Sequence, residues 1–288
     1  MTPDGAGEVR NKWVRTLLLA FAILYVFAHA AQADCETRST HTATVIRVVD
    51  GQTLRLDDGS EARLIGALAP ETPLWWKGDK VWPPAGWSRR ALQQLAGSQK
   101  VELRFADGEP QRDRHGRFLA QLYVLRGEER IWVQGHMIGE GYAQAYSFAR
   151  HRACARALQA REARARSAHN GLWRKGRFTV RQTAGVEALS KRHGSFQLVE
   201  GRVHSVGRTS QWTFLNFSGD WRRDFTVAIR ARDRHRFKDS DVSLDALEGK
   251  IVRVRGWLER WNGPVIKATH PEQIEVLEEM DGAGSGPL

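Results

Sequence analysis

Arg63 and Glu71 bracket a short apolar strand end that runs into Pro70, so a cation and a carboxylate can converge at one mouth of the fold. The pair can also be a plain surface ion pair, and its spacing alone does not choose. Just after it, Trp75-Trp76-Lys77 sets aromatic and cationic side chains together. Such a loop can stack on bases and meet phosphates, or simply cover the end of a barrel. The formal net charge of +11 favours a polyanionic partner. Nucleic acid is the first candidate, with an anionic membrane surface or cell-wall polymer behind it.

The elements that must position these groups are legible in period and punctuation. Val45, Val48 and Val49 lead into a turn at Asp50-Gly51, after which Leu54 and Leu56 alternate with Thr53 and Arg55, the period of a half-buried strand. A second turn at Asp58-Gly59 joins this strand to the one carrying Arg63, Leu64 and Ile65. Pro83–Gly86 reads as an exposed loop, and Ala91, Leu92 and Leu95 predict a helix over 88–96 that stops at Gly97. Strands follow at 100–105 and 116–124, the second beginning beside Arg117. Helices are expected over 131–140 and 149–168, and the arginines of the latter (Arg150, Arg152, Arg156, Arg161, Arg164, Arg166) form no clean stripe, which suits a solvated surface. Asn170-Gly171-Leu172-Trp173 closes the region, with Trp173 packing back on the core.

Four motifs in order, Asp50-Gly51-x-Thr53-Leu54, Arg63-Leu64-Ile65-Gly66, Ala69-Pro70-Glu71-Thr72 and Asp113-Arg114-His115-Gly116-Arg117, resemble those of the staphylococcal nuclease (thermonuclease) family. The resemblance covers residues 42–174 and stops there. It implies a five-stranded barrel of the oligonucleotide-binding (OB) type with three helices, hence a mainly β fold with α (α+β). It also implies phosphodiester hydrolysis of DNA or RNA, with Arg63 and Arg117 gripping the scissile phosphate and Glu71 positioning or deprotonating the water. The chemistry is apt: arginine stays ionised and donates paired hydrogen bonds to phosphate, and a carboxylate can accept the proton of the attacking water. Arg114, within the fourth motif, joins Trp75, Trp76 and Lys77 as a candidate substrate contact.

The family also uses calcium, and here the chain departs from it. One aspartate ligand is replaced by Gln52 and another by Leu68, while Asp50 corresponds to an outer support. Gln52 could lend one neutral carbonyl and Leu68 none, whereas hard cations want several charged oxygens. The ordinary calcium site is therefore expected to be absent. Losing a Lewis acid worth ~4 to 6 kcal/mol slows a step roughly a thousandfold to ten-thousandfold. The expectation is a slow phosphodiesterase, the alternative a catalytically inactive nuclease fold that binds nucleic acid or other polyanions at the cell envelope.

Residues 1–33 read as a secretory signal peptide. Arg10, Lys12 and Arg15 precede an apolar run from Leu17 to Ala28, and Ala31-Gln32-Ala33 offers a cleavage site. In an exported chain the two cysteines, Cys35 and Cys154, suggest one bridge. Residues 175–195 read as a basic linker. From 196 to 278, five strand-like runs and a hairpin turn at Trp261-Asn262-Gly263 look like a second small OB-like barrel. Trp212, Arg253 and Arg255 could line a stacking, phosphate-tracking face on it. The tail, 279–288, is expected to be disordered.

Overall fold

A computed structural model describes residues 35–277 apart from 221, 222 and 239; the expected leader and the expected tail lie outside the described residues. Strand β1 (Arg38–Val48) is the spine of the first barrel, pairing antiparallel with both β2 (Thr53–Leu56) and β5 (Lys100–Phe105). It can serve both neighbours because register shifts at Val45/Arg47 and Ser39/His41 bend it. β3 (Glu61–Leu64) follows β2 as a hairpin and lies parallel to β6 (Phe118–Arg126), which returns antiparallel to β5. The strands thus close in the order β1-β2-β3-β6-β5, around fully buried Leu54, Leu56, Ala62, Leu103 and Leu122. A short β4 (Ala67–Leu68) leads out of β3 towards Pro70, and β7 (Glu129–Trp132) extends the sheet beyond β6.

Helix α1 (Pro83–Ala96) begins at the stretch expected to be a loop. The two prolines occupy its first turn, where a missing N–H costs nothing and a fixed φ helps. Its Ser88 packs over Gly51, where a Cβ would stand 2.7 Å from the Cβ of Ala69 and 2.8 Å from that of Ser88. Only glycine lets the Asp50-Gly51 turn, the start of α1 and the approach to Glu71 meet so closely. Helices α2 (Val133–Gly139) and α3 (Ala155–Ser167) follow, separated by β8 (Gln144–Ala145), which pairs with β4. α3 starts six residues later than its periodicity suggests. The N–H groups of Arg152 and Ala153 are captured by the Glu109 carboxylate, at 2.7 and 3.0 Å, rather than by helical carbonyls. A short α4 (Gly171–Arg174) buries Leu172 and Trp173.

The expected linker is structured. Phe178 is buried with Trp173 and Leu198, β9 (Val180–Gln182) lies parallel to β10 (Phe196–Arg202), and α5 (Val186–Ser190) inserts Leu189 into the second core. Basic residues masked an apolar spacing that commits the stretch to packing. The second barrel continues with β11 (Ser205–Arg208), β12 (Trp212–Asn216), β13 (Thr226–Arg230), α6 (His235–Lys238), β14 (Ile251–Arg260), β15 (Pro264–Ala268) and β16 (Ile274–Leu277). Its order is β11-β12-β13-β15-β14-β10-β9, with β16 also on β14. The parallel β13–β15 pair corresponds to β3–β6 of the first barrel, and β10 with β11 takes the part of the bent β1.

The two barrels are joined by polar contacts centred on α3. Arg255 is 1% exposed and donates to Glu162 (2.8 Å), to the Ala145 carbonyl (3.0 Å) and to Glu275. Burial alone would lower the Arg255 pKa, but the two carboxylates raise it above its ordinary value. Arg152 clasps Glu272 with two bonds of 2.8 Å, Arg156 meets Asp241 at 2.6 Å, and Ser147 Oγ lies 2.7 Å from His270 Nε2. The arginine-rich segment expected to be a solvated surface is therefore, in these members, an interface.

Candidate active site

Arg63 lies on β3 between the buried Ala62 and Leu64, so its side chain takes the outer face of the barrel wall. The parallel register pairs Ala62 with Phe118 and Arg63 with Leu119. Arg117, one residue before Phe118, falls opposite Glu61 and shares that outer face. Extending that register by one residue leaves the two arginines two positions apart along neighbouring strands. Glu61 is engaged by Arg55 at 2.8 Å and leaves both free of it.

Arg117 is nevertheless held. Its Nε and Nη2 reach Asp113 Oδ2 at 2.8 and 2.7 Å, and its backbone N–H donates to Oδ1 at 3.1 Å. Burial pushes the Asp113 carboxyl up, but the bonds from Arg117 and from the His115 N–H outweigh it, so its pKa is lowered. The Asp113–Arg117 turn thereby fixes the guanidinium before any ligand arrives. Among the described residues no carboxylate pairs with Arg63.

Glu71 is exposed and does not pair with Arg63. Its Oε1 accepts a 2.7 Å hydrogen bond from Nε2 of Gln52, a side chain 1% exposed. Gln52 is itself fixed on three sides. Its Oε1 accepts from the Ala69 N–H (3.2 Å), its N–H donates to Asp50 Oδ1 (2.8 Å), and its carbonyl accepts from the Leu64 N–H (2.9 Å). One buried glutamine thus ties the carboxylate of Glu71 to the strand that carries Arg63. The amide oxygen that might have served a cation is turned to Ala69, a correction to the expectation that it could be lent. The Leu68 side chain brings no oxygen, and among the described residues no group of three or more His, Cys, Asp or Glu could hold a metal ion. This donor set does not fit calcium.

Tyr146 is the neighbour that sequence reasoning missed. Its N–H donates to the Gly66 carbonyl at 3.0 Å, just past the end of β3, and its hydroxyl lies within electrostatic reach of Arg63. Burial raises its pKa, offset in part by the Trp257 side chain donating to the phenol and by Arg63. Nothing near Tyr146 in sequence signals this; pairing of β4 with β8 brings it there.

The other expected contacts divide. Trp75 is 67% exposed beside the mouth, edge-on to Trp76 and Trp82, while Trp76 donates its indole N–H to the Lys80 carbonyl at 2.7 Å. Lys77 and Arg114 are exposed, and Arg114 Nε donates to His115 Nε2 at 3.0 Å. Trp212 is half-buried on the second barrel. Arg253 and Arg255 do not form an open face, a correction with a clear cause: Arg253 is held between Glu200 (2.9 Å) and Glu275 (3.3 Å), and Arg255 is locked in the interface. Cys35 and Cys154 are both disulfide-bonded, and neither is free.

Residues 61–175 match the family model described as staphylococcal nuclease homologue. No curated protein matches the chain.

Proposed function

On the premise that residues 61–175 form a staphylococcal nuclease homologue domain, we propose that this protein hydrolyses phosphodiester bonds of nucleic acid with its own side chains as the catalytic groups. The observation that carries the reading is the Gln52–Glu71 bond beside two arginines that share one face. Among the described residues Glu71 enters no ion pair; its carboxylate is held by a buried amide instead.

In this mechanism Arg63 and Arg117 bind the non-bridging oxygens of the scissile phosphate and stabilise the charge that grows there as phosphorus becomes five-coordinate. Glu71, aimed by Gln52, accepts the proton of the water attacking in line. Arg117 is already oriented by Asp113, so little ordering remains when phosphate arrives. No step passes through calcium. The leader over 1–33 and the oxidised cysteines support export to an oxidising compartment.

The test is incubation of purified protein with labelled single- and double-stranded DNA and RNA, with calcium or with chelator. Cleavage that survives chelator and falls at least a hundredfold in Glu71→Gln supports the mechanism. Cleavage undiminished in Glu71→Gln, or wholly dependent on added calcium, overturns it. Nucleic-acid binding without cleavage under every condition would leave the second, non-catalytic reading.

A further inference from the structure

A cleft of about 340 Å³ opens between the two barrels, and Tyr146 and Phe148 of the first face Trp212, Arg230, Trp257 and Lys267 of the second across it. Tyr146 joins this cleft to the candidate active site, because it lines the cleft while its N–H donates to the Gly66 carbonyl, just past the end of the strand that carries Arg63. Trp257 is 46% exposed, its ring held edge-on by Phe196 at 6.1 Å. Its indole is therefore fixed and still presents open surface.

Trp212 sits in the same cleft with the Arg230 guanidinium 4.8 Å above its ring. Arg230 is exposed, and among the described residues no carboxylate pairs with it. The acids that also line the cleft are already paired: Glu259 with Lys267 of the same cleft at 2.5 Å, Asp233 with Arg236. Beyond Trp212 the aromatic surface runs on over Phe214 (6.3 Å, stacked) and Trp261 (5.0 Å, edge-on), beside a second cavity of about 400 Å³. Fixed rings with open surface and an unpaired guanidinium match one ligand chemistry well, a nucleotide with an unstacked base. A base inside a duplex has no open face to offer.

We propose that the cleft between the barrels is a subsite for the nucleotide that neighbours the scissile phosphate of a single-stranded substrate, its base against Trp257 and Trp212 and its phosphate on Arg230. The assignment rests on the hydrolytic reading for the position of the scissile phosphate, but not for the binding itself. It makes the second barrel the source of single-strand preference and gives Tyr146 the place where the two sites meet.

The experiment uses the full chain carrying Glu71→Gln to suppress turnover, and reads fluorescence anisotropy of a labelled 12-nucleotide strand and of the matching duplex at one salt concentration. Adding Trp257→Leu with Arg230→Gln is expected to weaken single-strand binding tenfold to a hundredfold and duplex binding less than threefold. Unchanged single-strand affinity, or an equal loss for strand and duplex, overturns the subsite. If wild-type protein cleaves nothing, the hydrolytic reading fails while the anisotropy still decides the cleft. Should the double variant not fold, Arg230→Gln alone, at an exposed position, carries the same comparison.

Discussion

The two barrels share one connectivity and treat their arginines in opposite ways. In the first, Arg63 stands on the parallel strand pair with no acidic partner among the described residues, and Arg117 is steadied by a single aspartate. In the second, Arg253 and Arg255 are neutralised by Glu200, Glu275 and Glu162, and Arg255 is sunk into the contact with α3. Strand position therefore does not give an arginine its role; the carboxylates that fold onto it do. An arginine that has spent its hydrogen bonds on glutamates holds structure, and one left open can receive phosphate.

That contrast can be broken most sharply by Arg63→Ala, which should lower turnover by a hundredfold to a thousandfold while thermal stability barely moves. Arg253→Ala should leave turnover of a short substrate within about threefold. Equal losses from both would erase the distinction. Arg255→Ala is expected to cost about 3 to 5 kcal/mol of stability in denaturant titration, because the fully buried Glu162 would lose its nearest cation and the partly buried Glu275 one of its two.

Acid should loosen the same contact. Burial lowers the pKa of His270 from 6.5 to about 4, with its ring set between Ser147 and Thr269 and the charges of Glu272, Arg152, Arg236 and Asp233 around it. The unfolded chain takes up this proton between pH 6.5 and 4 and the folded one does not. Stability is thus fully present above pH 6.5 and falls as pH drops through that window, by up to about 3 kcal/mol. His270→Gln should flatten the slope in melts between pH 4 and 7. Smallest of the set, Gln52→Ala should reduce kcat about tenfold with KM nearly unchanged, since it frees Glu71 without touching the phosphate.

Much of the first barrel was legible because its cues are local. Alternation around Leu54, the Asp50-Gly51 and Asp58-Gly59 turns and the helical spacing of Leu92 and Leu95 act within a few residues. The Pro83–Gly86 stretch misled because two prolines announce a turn or a first helical turn equally well. The supposed linker misled because lysines and arginines around Phe178 and Leu189 resemble a solvated tether until a second core exists to bury the apolar pair. Arg156 of α3 and Arg152 just before it misled in the same way: their partners, Asp241 and Glu272, are 85 and 120 residues away.

The sequence by itself determined the strand and turn order of the first barrel, the positions of Arg63, Glu71 and Arg117, and the gap where charged calcium ligands would stand. These depend on residue type and short spacing. Only the tertiary structure decided that Gln52 grips Glu71, that Arg255 is interior, and that Tyr146 and Trp257 line one cleft. Each of those is a contact between distant segments, fixed by how strands pair and which side chains water is denied.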